Sequence, residues 1–80
     1  MRLDKYLKVA RLIKRRTVAN EACDAGKVLV NDKVARASYD VKVGDVIFLT
    51  LGAREWRVQV VSVQETVGKS EASLLYRVLP

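Results

Sequence analysis

Histidine is absent from the eighty residues, and cysteine occurs once, at Cys23. Without histidine there is no imidazole general base, no histidine-containing triad and no histidine-ligated metal. A single thiol builds neither an internal disulfide nor a cysteine-rich metal centre. The four glycines, Gly26, Gly44, Gly52 and Gly68, stand far apart, so no glycine-rich phosphate loop is present. No apolar run approaches the roughly 20 residues of a membrane span, and the opening MRLDKYLK lacks the apolar stretch of a signal peptide. These absences leave no catalytic residue, metal ligand or cofactor site to assign. They point to a cytoplasmic binding protein without a membrane, expected to be monomeric when free.

Positive charge is abundant, and it is unevenly placed. The formal net charge is +6. Residues 1–36 hold ten Lys/Arg against four Asp/Glu, whereas residues 37–80 hold five of each. One half is a concentrated cationic surface and the other an electrically neutral, β-branched-rich body. Such asymmetry suits an acidic partner, most simply a phosphate backbone.

Leu3, Tyr6, Leu7 and Ala10 recur at i, i+3, i+4 and i+7, one face of a helix that is expected to fade near Leu12–Ile13. Arg2, Lys5, Lys8 and Arg11 lie off that stripe, and Asp4 in the first turn suits the helix dipole. A second short helix is expected from Arg16 or Thr17 to Ala25, with Val18, Ala19, Ala22 and Cys23 on its apolar side and Gly26 as its stop. Thr17 is either its N-cap or already inside its first turn. The cluster Lys14, Arg15 and Arg16 then falls at a helix N-terminus, where free backbone N–H groups already attract anions. A solvated face explains isolated charges, but three consecutive cations repel one another and make better sense as a phosphate contact.

After Gly26 the period changes to two. Val28–Val30 reads as a strand, Asn31-Asp32 as a turn, and Lys33–Ala37 as the return. The segment Asp40–Asp45 turns into a strand at Val46–Leu51. Gly52-Ala53 connects it to Glu55–Val63, in which Trp56, Val58 and Val60 alternate with Arg57, Gln59 and Val61. Gln64–Ser73 reads as a polar loop and Leu74–Leu79 as a last strand. Trp56 and Tyr6 are expected to pack in the core, Tyr39 follows no pattern, and Cys23 behaves as a small buried hydrophobe. The expected fold is α+β, two N-terminal helices packed on a small, curved, mostly antiparallel sheet.

Four motifs agree in order and spacing: Arg2-Leu3-Asp4-Lys5 with Leu7; Arg15-Arg16 followed by Ala19; Gly26-Lys27-Val28 with Val30-Asn31; and Val43-Gly44-Asp45. Together they resemble the RNA-binding domain named after small-subunit ribosomal protein S-four, also called an αL motif. The resemblance implies one RNA-binding domain over 1–80, with a motif core of about 1–50 and a strand-rich extension over 51–80. In that family the module is often appended to pseudouridine synthases and tyrosyl-tRNA synthetases; the stand-alone versions resemble a small ribosome-associated heat-shock protein. The string from Arg11 to Thr17 looks closest to the RqcP-like ribosome quality-control group. That resemblance implies binding of 23S rRNA on the split large ribosomal subunit and stabilisation of peptidyl-tRNA there. It also implies alternation with RqcH, which delivers alanyl-tRNA for alanine tailing. Two positions depart from the pattern: Arg15 stands where Ser or Thr is common, and Asp32 follows Asn31 where Gly is usual.

Arg2, Lys5, Arg11, Lys14, Arg15, Arg16, Lys27 and Lys33 are the expected RNA contacts, with Asp4, Thr17 and Asn31 in support. Arginine's planar fork suits phosphate, and lysine acts as a point charge. Few aromatics lie in the basic half, so folded RNA read by shape and backbone is expected rather than stacked single strands. Two other readings remain: a general rRNA- or tRNA-binding factor that recognises stalled large subunits without tailing, and a DNA-binding winged helix-turn-helix. Against the latter, the exposed positions of the second helix, Asn20, Glu21 and Asp24, suit a major groove poorly.

Overall fold

The structure is a computed structural model that describes residues 1–64 and 75–80. Two short helices, α1 (Leu3–Val9) and α2 (Arg16–Asp24), precede five strands. These are β1 (Val28–Val30), β2 (Lys33–Val34), β3 (Val46–Leu51), β4 (Arg54–Val60) and β5 (Tyr76–Leu79). The strands form one antiparallel sheet in the order β2-β1-β3-β4-β5. Alternation sets its two faces: Val28, Val30, Ile47, Leu49, Val58 and Val60 are buried towards the helices, whereas Glu55 and Arg57 point to solvent. Leu3, Tyr6, Leu7 and Ala10 supply the opposing apolar stripe of α1, and Ala19, Ala22 and Cys23 that of α2. The expected α+β architecture is the observed one.

Turn chemistry explains the register. Asn31 and Asp32 both have positive φ, 53° and 70°, the geometry of a two-residue type I′ hairpin between the paired residues Val30 and Lys33. Asp32 adopts the left-handed conformation that glycine usually supplies here. Asn31 also bolts β1 to β3: its Oδ1 accepts from the Val46 amide at 3.0 Å and its Nδ2 donates to Asp45 at 3.1 Å. Its support is therefore structural.

Both helices end in the same motif. At α2, Gly26 (φ 74°) donates to the Cys23 carbonyl and Lys27 to the Ala22 carbonyl, each at 3.0 Å, the paired bonds of a Schellman ending. At α1 the equivalent bonds run from Arg11 to Lys8 and from Leu12 to Leu7, each at 3.0 Å. The left-handed residue is here an arginine, Arg11 (φ 59°). This ends α1 at Val9, earlier than the expected Leu12–Ile13, because the apolar pattern runs on into a buried Ile13 that is no longer helical. A non-glycine residue in that conformation costs roughly 1–2 kcal/mol.

Other expectations are shortened or corrected. The N-cap of α2 is Arg15, so Thr17 lies inside the first turn. Val18 is 42% exposed and not part of the apolar side, which Ala19, Ala22 and Cys23 form alone at i, i+3 and i+4. The β2 return stops at Val34 because the chain leaves for α1, where the Ala37 carbonyl accepts from the Asp4 amide at 3.1 Å. Strand β4 runs from Arg54 to Val60, ending before Val63 because the amides of Val61 and Ser62 both turn to the carbonyl of Leu75. The buried hydroxyl of Tyr6 donates to that same carbonyl at 2.6 Å, tying α1 to the segment entering β5. Strand β5 begins at Tyr76, and Leu74, Gly68 and residues 65–73 of the expected polar loop lie outside the described residues.

Candidate functional site

The N-terminal segment is pinned before α1 begins. Arg2 forms an isolated antiparallel bridge with Asp40, and the amide of Leu3 donates to the Tyr39 carbonyl at 2.8 Å. Arg2 is the N-cap of α1, and its side chain reaches forward over the first turn. There it meets Asp4, the one buried charged residue among those described, at 2% exposure.

Asp4 is a hub. Its Oδ1 accepts from Arg2 Nε at 3.2 Å and from the Lys5 amide at 2.8 Å. Its Oδ2 accepts from Arg2 Nη2 at 3.4 Å and from Asn20 Nδ2 at 3.3 Å, and pairs with Arg16 Nε at 3.4 Å. Burial by itself would raise the Asp4 carboxyl. The hydrogen bonds from Arg2, Asn20, Arg16 and the Lys5 amide overcome that and hold it below the ordinary carboxylate range. The arginines are different: the side chains of Arg2 and Arg16 are 51% and 46% exposed. One buried carboxylate thus holds two half-exposed guanidinium groups by their Nε edges. Their remaining N–H groups make no bond to another described residue, and guanidinium forks match phosphate oxygens.

The surroundings are concave. A cleft of about 390 Å³ is lined by Asp4, Arg16, Thr17, Asn20 and Glu21. A second of about 460 Å³ shares Asn20 and runs past Arg2, Asp24 and Arg36. Thr17 faces the first cleft at the start of α2, where the leading amides have no helical carbonyl to bond.

The expected basic residues therefore separate into groups. Arg2 and Arg16 converge on Asp4. Lys14 and Arg15 are exposed just before α2, and Lys5 is half-buried on α1. Lys27 lines a different cleft with Val18, Glu21 and Leu51, and Lys33 is exposed beside the β1–β2 turn. Arg11 lies apart from the clamp, beside Leu12, Arg54, Trp56 and Tyr76. Sequence reasoning missed Asn20 and Arg36. Asn20 had a signal, since it falls four residues after Arg16 on one face of α2. Arg36 had none, because it lies where the chain has left the sheet.

Tyr39 and Cys23 are engaged inside the fold. Tyr39 donates to Asp45 Oδ2 at 2.9 Å, a bond that raises its own hydroxyl. Burial pushes the Cys23 thiol up to about 11, helped by the charges of Asp4 and Asp24. A thiol so placed is unreactive near neutrality. Among the described residues no group of histidine, cysteine or carboxylate side chains could hold a metal ion, and no helix is long and apolar enough to cross a membrane.

With this geometry in view, the similarities to known proteins fall into place. Residues 1–47 match the family model described as the S4 domain. The chain is 53% identical to the "RQC P-site tRNA stabilizing factor" of Halalkalibacterium halodurans, over 98% of this chain and 89% of the relative. To the factor of the same name in Bacillus subtilis it is 48% identical, over 99% and 92%. Among solved structures, Heat Shock Protein 15 of Vibrio cholerae superposes with a TM-score of 0.92 at 35% identity, covering 99% of this chain and 81% of that one.

Proposed function

The chain belongs to the S4 domain family, and from that premise we propose that it is an RNA-binding factor of ribosome-associated quality control. In this reading it binds 23S rRNA on the split large ribosomal subunit and stabilises peptidyl-tRNA there, so that RqcH can add alanine tails. It performs no chemistry. Binding free energy holds the tRNA in a productive position, which is enough to assist a reaction carried out elsewhere. Residues 1–80 act as one module, with the clamp in the S4-like part and the remaining strands closing the core beneath it.

The observation that carries the reading is the Asp4 clamp. Two arginines, one at the start of each helix, are fixed on a shared buried carboxylate with their outer edges unbonded to any other described residue, in a chain 53% and 48% identical, over 98% and 99% of its length, to two proteins named RQC P-site tRNA stabilizing factor. Arg2, Arg16 and Arg36 contact phosphates at the two clefts, with Thr17 and Asn20 beside them. Lys5, Lys14, Arg15, Lys27 and Lys33 extend the field around them. Glu21 and Asp24 face outward on α2, which disfavours laying that helix in a DNA major groove.

Deletion of the gene tests the proposal. Stalled chains should then carry few or no alanine tails although RqcH is present, while ordinary translation continues. Normal tailing in the deletion strain would refute the assignment. In that event the second reading takes its place, a factor that recognises stalled large subunits without tailing.

A further inference from the structure

Away from the Asp4 clamp, the fold builds a second cationic site from residues far apart in sequence. A groove of about 360 Å³ is lined by Arg11, Leu12, Arg54, Trp56, Tyr76 and Val78, within the size range of small-molecule sites, roughly 300–1,000 Å³. Its chemistry is specific. The Arg54 guanidinium lies over the Trp56 indole, 4.9 Å from the ring centroid, a cation–π contact. Trp56 and Tyr76 are only half-buried, and Arg11 and Arg54 are exposed. No carboxylate is among the described lining residues, and neither arginine makes an ion pair with another described residue. Arg11 is also the left-handed residue that closes α1, at φ 59° where glycine would be unstrained. Backbone strain kept at a position whose side chain enters a groove is a mark of use.

We propose that this groove takes one unpaired nucleotide of an RNA, its base against the Arg54–Trp56 pair and its phosphate at Arg11. Two guanidinium groups supply the charge for a phosphate. The arginine plane and the aromatic rings supply the flat surface on which proteins stack splayed-out bases. An acidic peptide would satisfy the arginines but would leave that surface without a planar partner. The inference rests on the chain being an RNA binder and is independent of alanine tailing. It also amends the sequence-based expectation that stacking plays no part, because the aromatics come from the neutral half.

Trp56 is the only tryptophan, so its emission reports on the groove directly. The full chain is titrated with a short single-stranded oligoadenylate and with an abasic strand carrying the same number of phosphates. Oligoadenylate should shift or quench the emission and bind about fivefold tighter or more. Arg11→Gly should weaken oligoadenylate binding about fivefold while the thermal midpoint holds or rises, since glycine relieves the left-handed strain. Lys42→Ala, which removes one exposed cation outside both the clamp and the groove, should leave the emission change intact. Equal affinity for the two strands, an emission spectrum unmoved by oligoadenylate, or an Arg11→Gly variant that binds normally would each overturn the groove without touching the Asp4 clamp. Loss of alanine tailing in a strain carrying Arg2→Ala alone would bear on the clamp and leave the groove standing.

Discussion

Asp4→Asn separates two effects of one carboxylate on RNA binding. Removing a negative charge beside two arginines strengthens the general attraction for phosphate, raising the net charge by one from +6. It also releases the guanidinium groups of Arg2 and Arg16, which Asp4 holds at 3.2–3.4 Å. Asparagine keeps the short bond from the Lys5 amide but brings an NH2 group towards Asn20 or Arg16. Breaking a fully buried ion pair costs about 3–5 kcal/mol. Here the released arginines are half-exposed and regain water, so the loss should be nearer 1–2 kcal/mol. For a domain of this size that lowers the thermal midpoint by about 5–15 °C. If aim outweighs charge, affinity for large subunits or their rRNA should fall about tenfold despite the added positive charge. Equilibrium binding well below the variant's melting temperature measures it. Unchanged or tighter binding would refute the clamp. The same carboxylate has a pH signature. Its folded pKa is depressed, so its contribution is complete above the ordinary value near 4 and is lost as pH falls through the lower folded value. Acid unfolding of Asp4→Asn should be correspondingly flatter in that range.

The remaining predictions concern charge and backbone. With Arg2, Arg16, Arg36 and about three of the surrounding cations neutralising phosphates, log K for rRNA should fall with log salt at a slope of roughly −4 to −5; an affinity flat with salt would sink the phosphate-backbone interaction. Arg2→Ala or Arg16→Ala should weaken large-subunit binding several-fold more than Arg57→Ala or Arg77→Ala, and equal losses from both pairs would misplace the interface. In Gly26→Ala the added methyl meets nothing within 4 Å, so only the left-handed strain remains. Thermal melting should show a loss of roughly 1–2 kcal/mol, and no loss would mean that the Schellman ending relaxes freely.

The elements were legible wherever local physics decides them. Period-3.6 apolar spacing marked α1 and α2, and alternation marked β3 and β4. Gly26, Asn31-Asp32 and Gly52-Ala53 marked the turns through the conformations those residues tolerate. The end of α1 was illegible because Arg11 carries no glycine-like signal, and the apolar pattern continues to Ile13 after the helix has stopped. Val18 was misplaced because a helix of nine residues buries only a narrow stripe, and a flanking valine belongs to it by composition but not by angle.

The sequence alone determined the charge asymmetry, the absence of histidine, the α+β class and the resemblance to an RNA-binding family, because each depends on residue identity and short-range spacing. Only the tertiary structure decided which cations lie together. Arg2 and Arg16 are fourteen positions apart and meet because α1 and α2 pack with Asp4 buried between them. Arg11 sits between them in sequence, yet the left-handed turn carries it to Arg54 and Trp56 on β4. A carboxylate inside the protein has to be surrounded by donors, and those donors come from whichever segments the core brings to it. That requirement acts through space, so no count of basic residues along the chain could have divided the clamp from the groove.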